Sequence, residues 1–403
     1  MIENIRNRAR QRFEEFGYPT AKLEDWRFTN VSPIARGHFQ VSSNGLGRGE
    51  AFRSAFLANG ARLVFVNGRY SSALSSVAGL PAGVVCTNLA SAPRDLVEKH
   101  LAKYASFDEP WQSFVALNTA DFADGAFVQI PAGVVLAEPV QILFIAAGDG
   151  VAAHTRVLVV AERGSQASII EHYLGDSATL TNTVSEIVAA DNAIVEHYKI
   201  QQESDRAFHV GTLQVQQGRC SNVVDHSVAL GGRIARNDLN FVLDGEGAEA
   251  LLNGLYVTNG EQHVANHSRI EHAQPHCPSR ELYKGILGGK SSAVFNGGIV
   301  VRQIAQKTDA KQSNKNLLLS EDAVINTKPQ LEIWADDVKC THGATIGHLD
   351  DEMLFYLRSR GIGEESARQL LTFAFANELL TRMKSPEVRQ RLEKAVLAKL
   401  EGS

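Results

Sequence analysis

The chain has 403 residues, which is long for one compact domain and predicts two or three structural units. Its hydrophobic content of 44% can supply a sizeable core, and its formal net charge of −5 gives no overall field that would favour nucleic acid. The most apolar window, residues 133–148, is interrupted by Glu138-Pro139, so neither a membrane span nor a secretory signal is expected. Four widely spaced cysteines argue against a disulfide framework or a self-contained zinc site and favour a reducing cytoplasm: Cys86, Cys220, Cys277 and Cys340.

The first part of the chain mixes helical and strand patterns. Apolar residues recur along one side of a helix from Ile2 to Phe16. Trp26 and Phe28 are the expected anchors of the segment that follows, and Asn67-Gly68 predicts a turn between two strands. We therefore expect an N-terminal helical and mixed region over residues 1–112.

From about Phe114 the pattern changes to short β-rich runs between Gly, Asn or Asp turns, with no convincing helix for over two hundred residues. A loose repeat in this part is typical of a solenoid, in which each coil covers the apolar face of the next. We predict a mainly β protein in which residues 113–347 form a right-handed parallel β-helix; an antiparallel sandwich, which also has many short strands, is the less favoured alternative. The repeated fragment recurs at offsets of 25 and 29 residues: Ile170-Glu171-His172-Tyr173, Val195-Glu196-His197-Tyr198 and Val224-Asp225-His226-Ser227.

Three short amphipathic helices are predicted after the solenoid. Asp350 or Asp351 can cap the first, and "EESARQLLTFAFANELL" has helical spacing throughout. The third, "SPEVRQRLEKAVLAKLEG", begins at a Ser385 cap and has Gly402 past its end. A C-terminal helical domain over residues 348–403 would serve as a cap or a docking surface.

The stretch "KGILGGKSS" resembles a nucleotide-binding loop only superficially. A P-loop needs four residues between its first glycine and Gly-Lys-Ser, whereas Gly285 and Gly289 have three between them. A strand pattern follows in place of a helix, so a solenoid turn is favoured and no nucleotide is expected on this chain. The sequence also lacks G-x-S-x-G and H-E-x-x-H motifs, so no catalytic residue can be nominated. A carbohydrate-active β-helix enzyme would need an acidic cluster on one face.

The repeated Glu-His and Asp-His pairs are candidates for metal binding. Neighbours in a strand point to opposite faces, so Glu171 and His172 cannot chelate one ion. Equivalent histidines of stacked coils could form a ladder, which we expect to be solvated or to face an interface. A loop with His272, His276 and Cys277 is rich in ligand types but has no complete ligand spacing, so metal binding there is the weaker interpretation.

Cys340 and His342 are separated by one residue. In an extended strand this spacing places both side chains on one face, with their Cα atoms about 6 to 7 Å apart. Thiolate and imidazole both bind iron and zinc, but a zinc or iron–sulfur site normally has four ligands. The pair is therefore either structural or half of a site that another chain completes.

Long motifs resemble the SufB/SufD family of iron–sulfur cluster assembly scaffolds. The family resemblance extends beyond the C-terminal third, because two earlier stretches also look like this family: the N-terminal "YPTAKLEDWRFTN" and the central "LNTADFADGAFVQIPAGVVLAEPVQILF". It therefore covers nearly the whole chain. The SufD branch is favoured by "KCTHGAT", by "YLRSRGI" and by the Trp26 segment. The C-terminal motifs are Gln-x-Asn-x-Asn-Leu-Leu-Leu, Pro-Gln-Leu-Glu-Ile, Cys-x-His-Gly-Ala and Phe-Tyr-Leu-x-x-Arg-Gly.

The resemblance implies a β-helix core between helical ends and a non-catalytic scaffold. In the family, SufD pairs with SufB, and each docks one SufC ATPase subunit, so ATP would be hydrolysed in SufC. A nascent, transient iron–sulfur cluster forms at the SufB–SufD interface. His342 matches a histidine that faces a SufB cysteine there, and Cys340 matches a neighbouring cysteine whose role the resemblance leaves open.

The C-terminal helices match the SufC-docking region of the family. A purely structural subunit, with all cluster ligands on SufB, is the alternative reading. A homodimer through the edge used for SufB is open to the isolated chain, because solenoid edges pair readily by strand addition. The matching positions that would contact SufC are Phe355, Tyr356, Arg358, Arg360, Leu370 and Phe373.

Overall fold

The computed structural model describes residues 2–41 and 46–401, with the backbone alone for Leu46 and Gly47. Two ten-stranded sheets form its main body, and the chain winds between them as a solenoid. Sheet A contains β1 (Gln40–Val41), β4 (Val85–Asn88), β5 (Asp124–Ile130), β7 (Val151–Ala161), β9 (Leu180–Ala189), β11 (Phe208–Gln217), β13 (Ile234–Leu243), β15 (His263–His272), β17 (Ser292–Val301) and β19 (Val324–Ile333). Sheet B contains β2 (Ala61–Val66), β3 (Arg69–Tyr70), β6 (Val140–Ala146), β8 (Gln166–Gly175), β10 (Ile194–Glu203), β12 (Asn222–Ala229), β14 (Glu249–Thr258), β16 (Pro278–Leu287), β18 (Asp309–Leu318) and β20 (Lys339–Gly347).

Helices flank this solenoid at both ends of the chain. From β5 onward, successive strands alternate between the sheets, and each strand pairs in parallel with the strand two places along. The predicted mainly β protein with a β-solenoid core and helical ends is confirmed. The helices are α1 (Ile2–Phe16), α2 (Ser32–Arg36), α3 (Arg94–His100), α4 (Ser113–Asp121), α5 (Asp351–Ser359), α6 (Glu364–Leu380) and α7 (Pro386–Glu401).

The sheets begin earlier than the predicted start at residue 113. β2 pairs in parallel with β6, and β4 pairs antiparallel with β5, so strands of the first 112 residues already belong to both sheets. Residues 113–121 form α4, where no helix was predicted. All residues of α4 except Asp121 are buried, and a helix buried all round carries no amphipathic pattern in its sequence. The domain limits after residues 112 and 347 stay predictions.

One turn of each coil requires a residue in the left-handed backbone region. In five consecutive coils its φ lies between 53° and 72°, and its N–H donates to a carbonyl of the next coil. This ladder of turn hydrogen bonds fixes the stacking of the coils, so residue types that rarely adopt positive φ are tolerated. The five residues are Asn192, Cys220, Gly247, His276 and Lys307.

The glycine-rich "KGILGGKSS" segment is also a solenoid turn. β16 ends at Leu287, Gly289 has a φ of 60°, and β17 follows from Ser292. No helix N-terminus is present after the glycines to receive a phosphate. The interpretation of this segment as a turn is therefore confirmed.

Helical segments cover the outer faces of the sheets. α6 and α7 pack on sheet B, where Leu379 and Leu392 join Val257 and Ile286 in one apolar cluster. The N-terminal segment covers sheet A through Trp26, which is buried as predicted and stacks beneath the guanidinium of a sheet A arginine. The prediction that Phe28 is a second buried anchor is wrong, because this side chain is 46% exposed.

The C-terminal helices begin as the sequence predicts. The carboxylate of Asp350 accepts hydrogen bonds from two N–H groups of the first turn of α5. The hydroxyl of Ser385 accepts from Val388 N at the start of α7. Gly402, expected beyond α7, lies outside the described residues. Within residues 2–41 and 46–401, no helix is both long and apolar enough to cross a membrane.

Candidate functional site

The C-terminal end of the solenoid is open. β19 and β20 are the last strands of their sheets, and no strand in the described ranges pairs with their outer sides. Lys339 N donates towards β18, to Thr308 O. Since successive residues of a strand alternate, the N–H groups of Cys340, His342 and the alternate residues after them point to the free edge of β20. An edge of this kind is a template for pairing with another chain.

A proline in β19 is consistent with this edge. Val324 N donates inward to Ser291 O, so the nitrogen of Pro329 faces the free side and no ladder hydrogen bond is lost. A proline inside a β-rich run is a sequence signal for an edge strand, and "NTKPQLEI" contained it. The position of the open end was therefore readable from the sequence, but we did not predict it.

Cys340 and His342 lie on β20 and on one face of it, as their spacing predicts. They align with Ala310 and Gln312 of β18, whose side chains are buried inside the solenoid. Cys340 and His342 therefore extend two rows of aligned side chains that run along the inside of the solenoid. No further coil covers the two residues. His342 is exposed, whereas Cys340 is half-buried against the apolar cluster beside Ala310, and this burial raises the pKa of its thiol.

This end of the solenoid cannot hold a metal ion by itself. Across the part of the chain that the structure describes, no group of three or more His, Cys, Asp or Glu side chains is placed to bind a metal. Cys340 and His342 offer two ligands at most, so an iron–sulfur cluster bound here would need further ligands from another polypeptide. A thiol must lose its proton to bind iron, so the raised pKa disfavours Cys340 as a ligand near neutral pH.

The interior row that ends at His342 is polar. His342 aligns with Gln312, and Gln312 aligns with Glu281 of β16. Gln312 and Glu281 are both 3% exposed, and Gln312 Nε2 donates to Glu281 Oε2 at 2.6 Å. This row was not predicted from the sequence. Its only signal was the alternation of Gln312, Asn314 and Asn316 along β18, which is ordinarily typical of an outward face.

The repeated Glu-His fragments do not form the predicted solvated ladder of equivalent histidines. The coils stack at an offset of 28 residues there, whereas the fragments recur at 25 and 29. The first two copies consequently face opposite ways: Glu171 and His197 point into the solenoid, while His172 and Glu196 point towards the covering helix α7. All four side chains are buried.

His197 lies between two buried carboxylates inside the solenoid. Its Nδ1 is 2.6 Å from Asp225 Oδ1, and its Nε2 is 3.1 Å from Glu171 Oε1. Burial alone would lower the pKa of His197, but the hydrogen bonds to both carboxylates outweigh it and raise that pKa to about 9. A protonated imidazole that donates to both carboxylates offsets the burial of all three charges, so this network has a structural role.

The three candidate ligands His272, His276 and Cys277 each occupy a separate structural position. His272 is fully buried at the end of β15, 3.0 Å from Ser279 Oγ, and burial lowers its pKa to about 4. His276 holds the left-handed turn position, and Cys277 is buried with its Sγ 3.3 Å from Gly245 O. These three side chains therefore do not converge on one point.

The C-terminal helices present an exposed surface of apolar and basic residues. Phe355 is 73% exposed, Tyr356 57% and Leu370 54%, and Arg358 and Arg360 are exposed beside them. Phe373, the sixth predicted contact residue, is half-buried and packs against the core beneath α6 and α7. Large apolar side chains grouped on a surface mark a contact with another molecule.

A buried lysine connects these helices to the solenoid near its open end. Lys284 of β16 is 2% exposed in its side chain, and its Nζ donates to Phe375 O at 2.9 Å and to Glu378 at 2.5 Å. Burial lowers the pKa of Lys284, which the Glu378 carboxylate partly offsets. Helix α6 is thereby fixed to a strand two positions from β20.

An open strand edge and exposed apolar helices are features that are common in proteins that contact other polypeptides. The chain matches the SufBD core domain of the SUF system of FeS cluster assembly over residues 144–375 and the SufBD protein N-terminal region over residues 1–142. It therefore belongs to the SufBD family of iron–sulfur cluster assembly proteins.

Individual relatives agree with this assignment. An iron–sulfur cluster assembly SufBD family protein of Synechocystis is 35% identical, over 98% of this chain and 90% of the relative. The iron–sulfur cluster assembly protein SufD of Escherichia coli is 32% identical, over 96% and 90%. SufD of Bacillus subtilis is 28% identical, over 99% and 94%. The similarity to SufD proteins thus extends over the whole chain.

Proposed function

We propose that this chain is a non-catalytic scaffold subunit that pairs with SufB through the free edge of β20 and docks the SufC ATPase through α5 and α6. The observation that supports the pairing is the unpaired edge strand that carries His342. A SufB strand added to this edge would bring its side chains next to His342 and Cys340. The cytoplasm is the proposed compartment, because all four cysteines are free thiols.

The cargo of the site is a nascent iron–sulfur cluster that is bound transiently. His342 supplies an imidazole ligand, and SufB supplies the remaining ligands, because this end of the solenoid has only two ligands of its own. Cys340 assists only when its thiol is ionised. Without SufB, the same edge is free to pair with a second copy of this chain.

ATP is bound and hydrolysed by SufC in this proposal. Movement of SufC would pull on α5 and α6, and the Lys284–Glu378 contact would pass that movement to the strands next to β20. Opening of the edge then exposes the cluster ligands. Such coupling requires two arrangements of the interface that nucleotide binding biases differently.

The test is cluster formation by the reconstituted complex with SufB and SufC. We expect His342→Ala to leave the complex intact but to reduce its iron and acid-labile sulfide by about tenfold or more, because loss of even a hydrogen-bonding partner of a metal ligand lowers metal affinity by that factor. His348→Ala is the matched control, since His348 is an exposed histidine whose Nδ1 lies 3.1 Å from Leu318 O. Unchanged iron and sulfide in His342→Ala would leave the chain as a purely structural subunit, with all ligands on SufB.

A further inference from the structure

The interior row that ends at His342 continues far into the solenoid. Behind Glu281, the row passes through Leu252, Asp225 and His197, each aligned with the next in the strand register. Adjacent strands are about 4.8 Å apart, so Glu281 lies about 10 Å behind His342, with only Gln312 between them. Leu252 then separates Glu281 from the deeper charges. Glu281 is therefore the first carboxylate that is reached from the open end.

Several polar atoms around Glu281 have no protein partner. Among the described residues, two buried oxygens on this path and two beside it lack any hydrogen bond, and their side chains are at least 97% buried. Buried polar atoms in proteins are almost always satisfied, and where protein groups are absent, ordered water takes their place. The four atoms are Glu281 Oε1, Gln312 Oε1, Asp225 Oδ2 and the Tyr283 hydroxyl oxygen.

We propose that Gln312 and the water around it form a proton path from the His342 edge into the solenoid, and that Glu281 is the proton acceptor at its end. This role rests on the proposed function, because the protons come from cluster assembly. Gln312 donates from its amide to Glu281 Oε2, which holds the carboxylate in the row. Ser268 approaches the carboxylate from sheet A, but neither its hydroxyl nor Glu281 Oε1 completes a protein hydrogen bond, so both atoms can bind water. Glu281 would act through water and not as a metal ligand.

The chemistry requires an acceptor of this kind. Sulfide reaches iron as HS− or as a protonated thiol, and the S–H bond must break when sulfur bonds to iron. The sulfur keeps the electron pair, and the proton passes through water beside Gln312 to the Glu281 carboxylate, which becomes a neutral carboxyl group. No electron is transferred in this step. The proton leaves to bulk water by the same path when the edge is open.

The surroundings of Glu281 suit proton uptake near neutral pH. Asp225 and Tyr283 are the titratable groups that face it within sheet B, and Ser268 faces it from sheet A, where the backbone at Gly297 lies against the amide of Gln312. Burial raises the pKa of Glu281 to about 7 even though the nearby Ser268 hydroxyl and the hydrogen bond from Gln312 act to lower it, and the negative charge of Asp225 adds a smaller upward contribution. No cation lies beside Glu281 in the described residues to hold the carboxylate ionised.

The first test uses the isolated full-length chain and needs no cluster. Infrared difference spectra against pH should show a buried carboxyl group that titrates near pH 7 and is absent in Glu281→Gln. In D2O this group should exchange its proton quickly, and Gln312→Leu should slow that exchange. Lys311→Leu, an exposed neighbour on the same strand, is the control and should leave the exchange unchanged. Fast exchange that Gln312→Leu does not alter would overturn the path.

The second test measures the initial rate of cluster formation in the complex with SufB and SufC, supplied with ferrous iron and sulfide. For the wild type, the rate should rise with pH through about 7, as Glu281 ionises. Glu281→Gln should lower the rate at pH 7.5 by about a hundredfold, the lower end of a positioned proton acceptor's contribution, and should remove the dependence on pH. A Glu281→Gln rate equal to wild type, with His342→Ala still defective, would refute the path and leave the proposed function standing.

Discussion

The buried His197 network gives a quantitative prediction about stability. His197→Gln removes the cation between Glu171 and Asp225 and leaves two buried carboxylates. Removal of one partner from a buried ion pair costs about 3–5 kcal/mol, because the remaining charge keeps its desolvation penalty. We therefore expect His197→Gln to lower the free energy of unfolding by about that amount at pH 6.

The penalty should depend on pH with a definite sign. The pKa of His197 is about 9 in the folded protein against an ordinary value of 6.5, a difference worth about 3 kcal/mol. Because the folded pKa is the higher one, this stabilisation is complete below pH 6.5 and is lost as the pH rises through 9. The difference between wild type and His197→Gln should therefore shrink by about 3 kcal/mol between pH 6 and pH 10.

Urea unfolding at pH 6, 8 and 10, followed by circular dichroism, measures this difference. His172→Gln is the matched control, since it changes the same residue of a neighbouring repeat fragment. Burial lowers the pKa of His172 to about 4, and its Nε2 bonds only to Gln202, so its loss should cost about 1 kcal/mol at pH 8 and 10. At pH 6 the cost should be smaller by somewhat under ~1 kcal/mol, because the wild type must then keep neutral a histidine that is partly protonated when unfolded, so the control's small trend with pH is opposite to that of His197→Gln. A penalty for His197→Gln that is no larger than the control's, or that stays constant with pH, would refute the reasoning.

Two further predictions concern Glu281 and the docking helices. The folded pKa of Glu281, about 7, exceeds its ordinary value of 4.5, so Glu281→Gln should leave stability unchanged at pH 4 and raise it by about 3 kcal/mol at pH 8.5 in urea unfolding; a loss at pH 8.5 would contradict this. Phe355→Ser should weaken SufC binding by about 10- to 100-fold in calorimetry, the equivalent of about 1.5–3 kcal/mol for one buried Phe side chain. Phe28→Ser, at an exposed phenylalanine of the N-terminal region, should bind SufC normally, and equal losses in both variants would argue against docking at α5.

The solenoid could be predicted from the sequence because residues that favour turns recur between the β-rich runs. Asn192 and Gly247 hold left-handed turn positions, and such residues at regular intervals between β-rich runs indicate stacked coils. The hydrophobic pattern gave a wrong prediction where a helix is buried on all sides. α4 was missed because burial on all sides removed its helical periodicity.

The interior polar rows could not be predicted because register decides which way a side chain points. The fragments around Glu171 and His197 are nearly identical in sequence, yet the stacking offset differs from the repeat offset by an odd number, so the second copy is turned over. The Cys340–His342 pair was found because its geometry depends only on strand alternation. Its continuity with Glu281 required the strand pairing of three coils.

Hydrogen exchange at β20 tests the central proposal most directly. The N–H groups of Cys340, His342 and the alternate residues after them face the free edge, so they should exchange quickly in the isolated protein at a concentration where it is monomeric. Addition of SufB should protect these amides and leave those of the interior strand β10 unchanged. Protection at β20 is the result that strand pairing predicts. A SufB complex that forms while the amides of β20 remain as fast as in the free chain would contradict it.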